Sequence, residues 1–280
     1  MIRTLYYVAI FSITAILNLA SAQEFHGQAI YESKTQMQDK IKINSPNMTP
    51  EMIKNMEERM KKMFEKTYIL NFNKSESVFT EEEKLEAPTP GNTSMVVMKS
   101  GGDGISYVNI KEKMLLKFED TFGKEFIISD SLPKWNWKID GETKKIGNYL
   151  CSKATATIPP SAKAIEKFKE QEVKRAKGET MMFTMSEPKE QIYTVWFTPE
   201  IPVSLGPANY WGLPGLILEA SDGRTIYLCS KIVLNPKEKV EIKRPNKGKK
   251  VTREEHEKIM EKQLEKMQDS KGNIRIQIGG

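Results

Sequence analysis

Histidine and cysteine are scarce in this chain, two of each in 280 residues, and that scarcity limits the chemistry open to it. His26 and His256 lie far apart, the second expected in an exposed helix, so a histidine triad or a zinc site would have to recruit both across the fold. There is no Gly-x-Ser-x-Gly and no His-Glu-x-x-His, and Gly101-Gly102-Asp103-Gly104 lacks the lysine and following helix of a phosphate loop. The Asp-Gly pairs at 103, 140 and 222 read as turn formers. Carboxylates are plentiful, yet no pair stands out as the acid and base of a glycosidase. Nothing calls for a cofactor.

Long apolar runs are also missing, with one exception at the start. Arg3 supplies a positive n-region, Leu5 to Leu17 form an apolar core, and Ala20-Ser21-Ala22 matches the small-x-small cleavage pattern. Ser12, Thr14 and Asn18 interrupt the run, which falls short of the ~20 apolar residues of a membrane span. Residues 1–22 therefore read as a secretory signal peptide. The mature chain is expected to begin at Gln23, to lack a transmembrane segment, and to work in the periplasm or outside the cell.

The composition, 39% hydrophobic and 29% charged, suits a soluble globular domain over residues 23–280. The formal charge of +6 drops to +5 without Arg3, and part of the excess is local. Lys243-Arg244-Pro245-Asn246-Lys247-Gly248-Lys249-Lys250 holds five cations and no anion. Such a run reads as a solvated loop, with an acidic surface as the alternative. It has no interleaved aromatics, so nucleic acid is not an expected partner.

Strand-like alternation begins at Phe25 to Ser33, with Gly27, Ala29 and Tyr31 in phase. Thr49-Pro50-Glu51 opens a helix to about Glu65. Tyr68 to Phe72 and Glu76 to Thr80 flank Asn73-Lys74-Ser75 as a hairpin, and residues 81–92 read as an exposed loop. Further strands are expected at 95–99, 105–110, 114–118, 125–129, 191–197 and 224–233. A surface helix, Ser161 to Ala176, forms an insertion over about residues 159–178, with Ala164, Ile165, Phe168 and Val173 as a thin apolar stripe. Thr252 and Glu255 form a capping box for a last helix to about Met267. Few helices sit where βαβ crossovers would need them. The fold class expected is α+β: a predominantly antiparallel, curved sheet with flanking helices. Met48, Met52, Met56 and Met60, with Met181, Met182 and Met185, could hold a soft ion such as Cu(I), but ordinary core filling is the preferred reading.

One pentapeptide occurs twice, as Tyr149-Leu150-Cys151-Ser152-Lys153 and Tyr227-Leu228-Cys229-Ser230-Lys231, and the two copies hold both cysteines. In an exported protein a Cys151–Cys229 disulfide is expected. The geometry works if the two strands are antiparallel neighbours; the alternative is two buried thiols on unrelated strands.

Residues 139–220 carry a recognisable pattern. Ile146-Gly147-Asn148-Tyr149-Leu150-Cys151-Ser152-Lys153-Ala154-Thr155 is followed, after the helical stretch, by Val195-Trp196-Phe197-Thr198-Pro199-Glu200-Ile201-Pro202. Gly206-Pro207 and Trp211-Gly212-Leu213-Pro214-Gly215-Leu216-Ile217-Leu218 complete it. This resembles the GLPGLI family of exported bacterial proteins, named for the hexapeptide at Gly212 to Ile217. The stretch between Thr157 and Gln191 departs from that pattern, in which the two strands are joined more directly. The resemblance implies compartment and architecture, and no activity.

The hexapeptide has a physical reading of its own. Leu213-Pro214-Gly215-Leu216 fits a type II turn, with proline presetting φ and glycine accepting positive φ. Either its leucines anchor a corner in the core, or Tyr210, Trp211, Leu213, Pro214 and Gly215 line the mouth of an apolar binding cavity. Three function classes follow. The first is a non-enzymatic envelope protein that binds an apolar or amphipathic ligand or a partner protein; the others are a carboxylate-based hydrolase and a structural or assembly protein without a pocket.

Overall fold

A computed structural model describes residues 25–35, 51, 64–82, 104–121, 123–177, 187–238 and 240–267, the side chains of 264–267 excepted. The helix expected from Thr49 to Glu65, the strand at 95–99, most of the loop at 81–92, and the methionine series lie outside the described residues or largely so.

The strands form one sheet in the order β12-β6-β5-β4-β3-β2-β1-β11-β10-β9-β8-β7. In chain order they are β1 (His26–Thr35), β2 (Glu65–Asn73), β3 (Glu76–Glu81), β4 (Ile105–Asn109), β5 (Met114–Thr121), β6 (Lys124–Ser131), β7 (Lys138–Ile146), β8 (Tyr149–Ile158), β9 (Gln191–Thr198), β10 (Leu216–Ser221), β11 (Thr225–Leu234) and β12 (Lys249–Thr252). Two helices can be followed from end to end among the described residues, α1 (Ala162–Ala176) and α2 (Arg253–Met267). Every pairing is antiparallel except β12 with β6, and the sheet stays open, with β12 and β7 at its edges. Among the described residues no helix is long and apolar enough to cross a membrane.

Nine strands separate β6 from β7 in the sheet, yet only Leu132–Trp137 connects them in the chain. Ten strand spacings would put them about 48 Å apart in a flat sheet. Six intervening residues reach at most about 25 Å. The sheet therefore cannot be flat: its two ends are drawn toward each other, and the short connection runs between them.

Local chemistry sets the elements. On β1, Gly27, Ala29, Tyr31 and Ser33 are buried in alternation. The β2–β3 turn closes on Asn73, whose side-chain oxygen accepts from the Ser75 and Glu76 amides at 2.8 Å each. Ser161 caps α1 by accepting from the Ala164 amide at 3.1 Å. The capping box of α2 is complete: Glu255 accepts from the Thr252 amide at 2.8 Å, and Thr252 from the Glu255 amide at 3.2 Å. The largest buried cluster joins Tyr31, Leu70, Phe72, Phe79 and Leu115 to Ile201, Val203, Leu205, Leu216 and Leu218.

Three local expectations are corrected, and one condition is settled. Asp140-Gly141 is not a chain-reversing turn but an irregularity inside β7, where the register with β8 shifts between Ile139 and Thr143 and Gly141 takes φ +78°. Lys249 and Lys250, read as part of a solvated loop, form β12 on the sheet edge. His256 is not exposed: its ring meets Phe126 edge-on at 5.2 Å, and Nε2 lies 3.4 Å from the Thr121 hydroxyl. The condition set for a bridge between the repeated pentapeptides, antiparallel neighbouring strands, is not met, because β9 and β10 lie between β8 and β11.

Cys151 and Cys229 are free, buried thiols within the largest cluster. Burial raises their pKa values to about 11 and about 12, so both stay protonated at neutral pH. In this arrangement thiol labelling of denatured, unreduced protein should find two thiols, and native protein should react slowly. Finding none would mean that β8 and β11 approach one another to form the bridge.

Helix α1 is tied to α2 by two exposed ion pairs, Lys163–Glu257 and Lys167–Glu261, each at 2.5 Å. Exposed pairs contribute little. Replacing residues 159–178 with a short Gly-Ser linker should shift the thermal midpoint by no more than about 5 °C; loss of cooperative unfolding would show that α1 belongs to the core.

Candidate functional site

The β6–β7 connection reads Leu-Pro-Lys-Trp-Asn-Trp. It alternates like a strand: Leu132 is buried, Trp135 and Trp137 half-buried, Lys134 and Asn136 exposed. It acts as a strap over the loop at 199–215. Trp135 Nε1 donates to the Asn209 carbonyl at 3.1 Å and Trp137 Nε1 to the Trp211 carbonyl at 2.8 Å. Trp211 Nε1 donates back to the Pro133 carbonyl at 2.8 Å. An indole N–H can only donate, so each ring is oriented by a fixed backbone acceptor.

The loop beneath is held by its own backbone. The Leu216 amide donates to the Ile201 carbonyl at 2.9 Å, Ile217 to Leu205 at 3.0 Å, and Gly212 to Ser204 at 3.2 Å. The Tyr31 hydroxyl, on β1, donates to the Ile217 carbonyl at 2.7 Å. It reaches past β11, whose ladder with β10 spans only Glu219–Ser221. Glu200 accepts from the Leu150 amide at 2.9 Å, which joins the loop to the start of β8.

This geometry places each residue singled out in the sequence. Leu213 is 2% exposed and Tyr210 6%, both in a second cluster with Val195, Phe197 and Ile217; Trp211 is half-buried and Pro214 exposed. The turn assignment is corrected. Positive φ falls on Gly212, at +96°, and not on Gly215. Gly215 is constrained by space: a Cβ there would lie 2.1 Å from the Thr198 carbonyl oxygen. The absence of a side chain, rather than freedom in φ, is what this position uses.

Sequence reasoning missed the residues that complete the site, Trp135, Trp137, Tyr193 and Asp222. The Trp-Asn-Trp period was a usable signal for the first two. Trp135 stacks on Trp137 at 5.0 Å between centroids and on Tyr210 at 5.3 Å, and Tyr193 meets it edge-on at 4.9 Å. Asp222 sits in the β10–β11 turn, where its Oδ1 accepts from the Arg224 amide at 2.9 Å and the Thr225 amide at 2.6 Å. The Gln191 side-chain amide donates to its carbonyl. Burial first, and then the Asp222 charge, raise the phenol pKa values of Tyr193, Tyr210 and Tyr227, so all three are neutral hydroxyls at physiological pH.

Two other polar regions are plainer. An open depression of about 630 Å³ is lined by Ser129, Asp130, Ser131, Thr252, Arg253 and Glu254, and an Arg253–Asp130 ion pair at 2.6 Å crosses it. Glu76 accepts from the Tyr107 hydroxyl at 2.5 Å and from Asn109 at 3.1 Å, which fastens β3 to β4. Among the described residues no group of three or more His, Cys, Asp or Glu side chains is placed to hold a metal ion.

A family model described as a protein of unknown function (Porph_ging) matches residues 137–219, from the end of the strap to β10. No curated protein matches the chain. Two crystal structures of PNGF-II resemble it in fold: one in space group C2, at TM-score 0.48 and 14% identity, and one in P21, at 0.47 and 14%. Each likeness covers 86% of this chain, which spans about a third of the PNGF-II chain, 33% and 34% respectively.

The loop yields a paired prediction. Gly215→Ala should cost about 3 kcal/mol by forcing the Thr198 carbonyl aside, and Leu213→Ala about 2–5 kcal/mol through lost burial and a cavity. Denaturant melts measure both. A Gly215→Ala protein of unchanged stability would refute the close approach.

Proposed function

We propose that the mature chain is an exported, non-enzymatic envelope protein that holds an apolar or amphipathic ligand, or a partner chain, against the aromatic cluster beside the Gly212–Ile217 loop. The observation that carries this reading is the reciprocal set of indole hydrogen bonds between strap and loop. It fixes large, half-exposed rings before any ligand arrives, so little side-chain entropy remains to be lost on binding. Half-buried tryptophan and tyrosine offer apolar contact with polar handles at the edge, the mixture that suits such ligands. Export rests on the charged start, apolar core and Ala20-Ser21-Ala22 site of the leader.

The test uses the full chain expressed with its own leader. Exported protein should begin at Gln23, and native mass spectrometry should show a retained ligand or partner. Trp137→Phe keeps an aromatic ring but removes its hydrogen bond to Trp211, and should lower retention more than stability. An intact Met1 terminus would end the export reading. Equal retention by wild type and Trp137→Phe would end the role given to the strap.

A further inference from the structure

The edge of the aromatic cluster is polar. Tyr193, Tyr210 and Tyr227 make no hydrogen bond through their hydroxyls to any other described residue, and none of these oxygens is a buried atom lacking a partner. The hydroxyls therefore meet solvent, that of Tyr210 included, although its side chain is almost wholly buried.

The register brings these groups to one place. Ser221 on β10 stands opposite Thr194 on β9 and Ile226 on β11. The next residue, Asp222, is thus flanked by the strands that carry Tyr193 and Tyr227, and its charge acts on all three phenols. Oδ1 of Asp222 is occupied by the turn amides, and among the described residues Oδ2 makes no hydrogen bond or ion pair that would withdraw it from a ligand. Gln191 holds the turn from the side of β9.

Building on the binding reading, we propose that the ligand is a neutral saccharide, with ring C–H groups against the Tyr193 ring and hydroxyls on the phenols of Tyr193, Tyr210 and Tyr227 and the carboxylate of Asp222. A purely apolar ligand would strip water from three phenols and a carboxylate and return no hydrogen bonds, which is unfavourable for each group. A saccharide hydroxyl both donates and accepts, so it matches phenols that do the same and a carboxylate that only accepts. The apolar face of a sugar ring is flat enough to lie against a single aromatic side chain such as Tyr193, whose own edge meets Trp135.

The test titrates purified mature protein with neutral gluco-, manno- and N-acetylglucosamine oligosaccharides, reading tryptophan fluorescence. Lauric acid and tetramethylammonium chloride are titrated in parallel. The expected result is a saturable response to at least one saccharide, weakened about tenfold by Tyr193→Phe and by Asp222→Asn, with thermal midpoints near wild type. Both variants keep the ring packing or the turn acceptor, so folding is preserved. Saturable binding of lauric acid or tetramethylammonium without any saccharide response would overturn this inference and leave the binding reading standing. No response to any saccharide would overturn this inference whatever the other probes do, the binding reading being decided separately by retention in native mass spectrometry, and saccharide binding indifferent to both substitutions would overturn the site.

Discussion

The length of one connection constrains the rest of this structure. Leu132–Trp137 joins strands that nine others separate in the sheet, so the sheet has to bend until its ends come within reach of six residues. A chain crossing there must satisfy its own backbone and side-chain polar groups without strand partners. Indole N–H groups and facing carbonyls provide the solution, two running from strap to loop and one returning. The loop at 199–215 is thus fixed from above by the strap and from below by Leu213, Ile201, Val203 and Leu205, all nearly inaccessible to solvent.

The hexapeptide is then best understood as the hinge between that loop and β10. Gly212 supplies the left-handed backbone residue, and Gly215 lets the chain pass against the Thr198 carbonyl at a distance no side chain permits. Leu216 and Ile217 follow with amides already committed to Ile201 and Leu205. The first half of β10 lies beyond the register with β11, and the Tyr31 hydroxyl serves a carbonyl there. Glycine at two places, for two different reasons, turns a surface loop into part of the core.

Much of this was legible in the sequence because it is local. Period-two burial on β1, the Asn73 turn, the Ser161 cap and the Thr252–Glu255 capping box each depend on residues within a few positions of one another. What escaped depends on partners far along the chain. Asp140-Gly141 has the composition of a turn, but pairing with β8 absorbs it as a strand irregularity. Lys249 and Lys250 are strand only because β6 offers an edge, and His256 is buried only because Phe126 packs against it. The cysteine repeat is the clearest case. Whether the two pentapeptides stand side by side depends on strand order, which is set by the whole sheet, and the sheet inserts β9 and β10 between them. At the site, Tyr210 and Trp211 were legible through the motif, whereas Asp222 looked like any turn residue until three tyrosines from other segments closed around it.

The asymmetry of the site follows from that convergence. The rings of Trp135, Trp137 and Tyr210 take up one another's faces and give rigidity, and Tyr193 adds its edge. Among the described residues none of the phenol hydroxyls at this edge finds a partner, whereas Tyr31 bonds the Ile217 carbonyl and Tyr107 bonds Glu76. Three such hydroxyls with the Asp222 carboxylate nearby place hydrogen-bonding capacity at one edge of the aromatic cluster. Stability alone does not require that arrangement, since phenylalanine at Tyr193 would keep the same ring contacts.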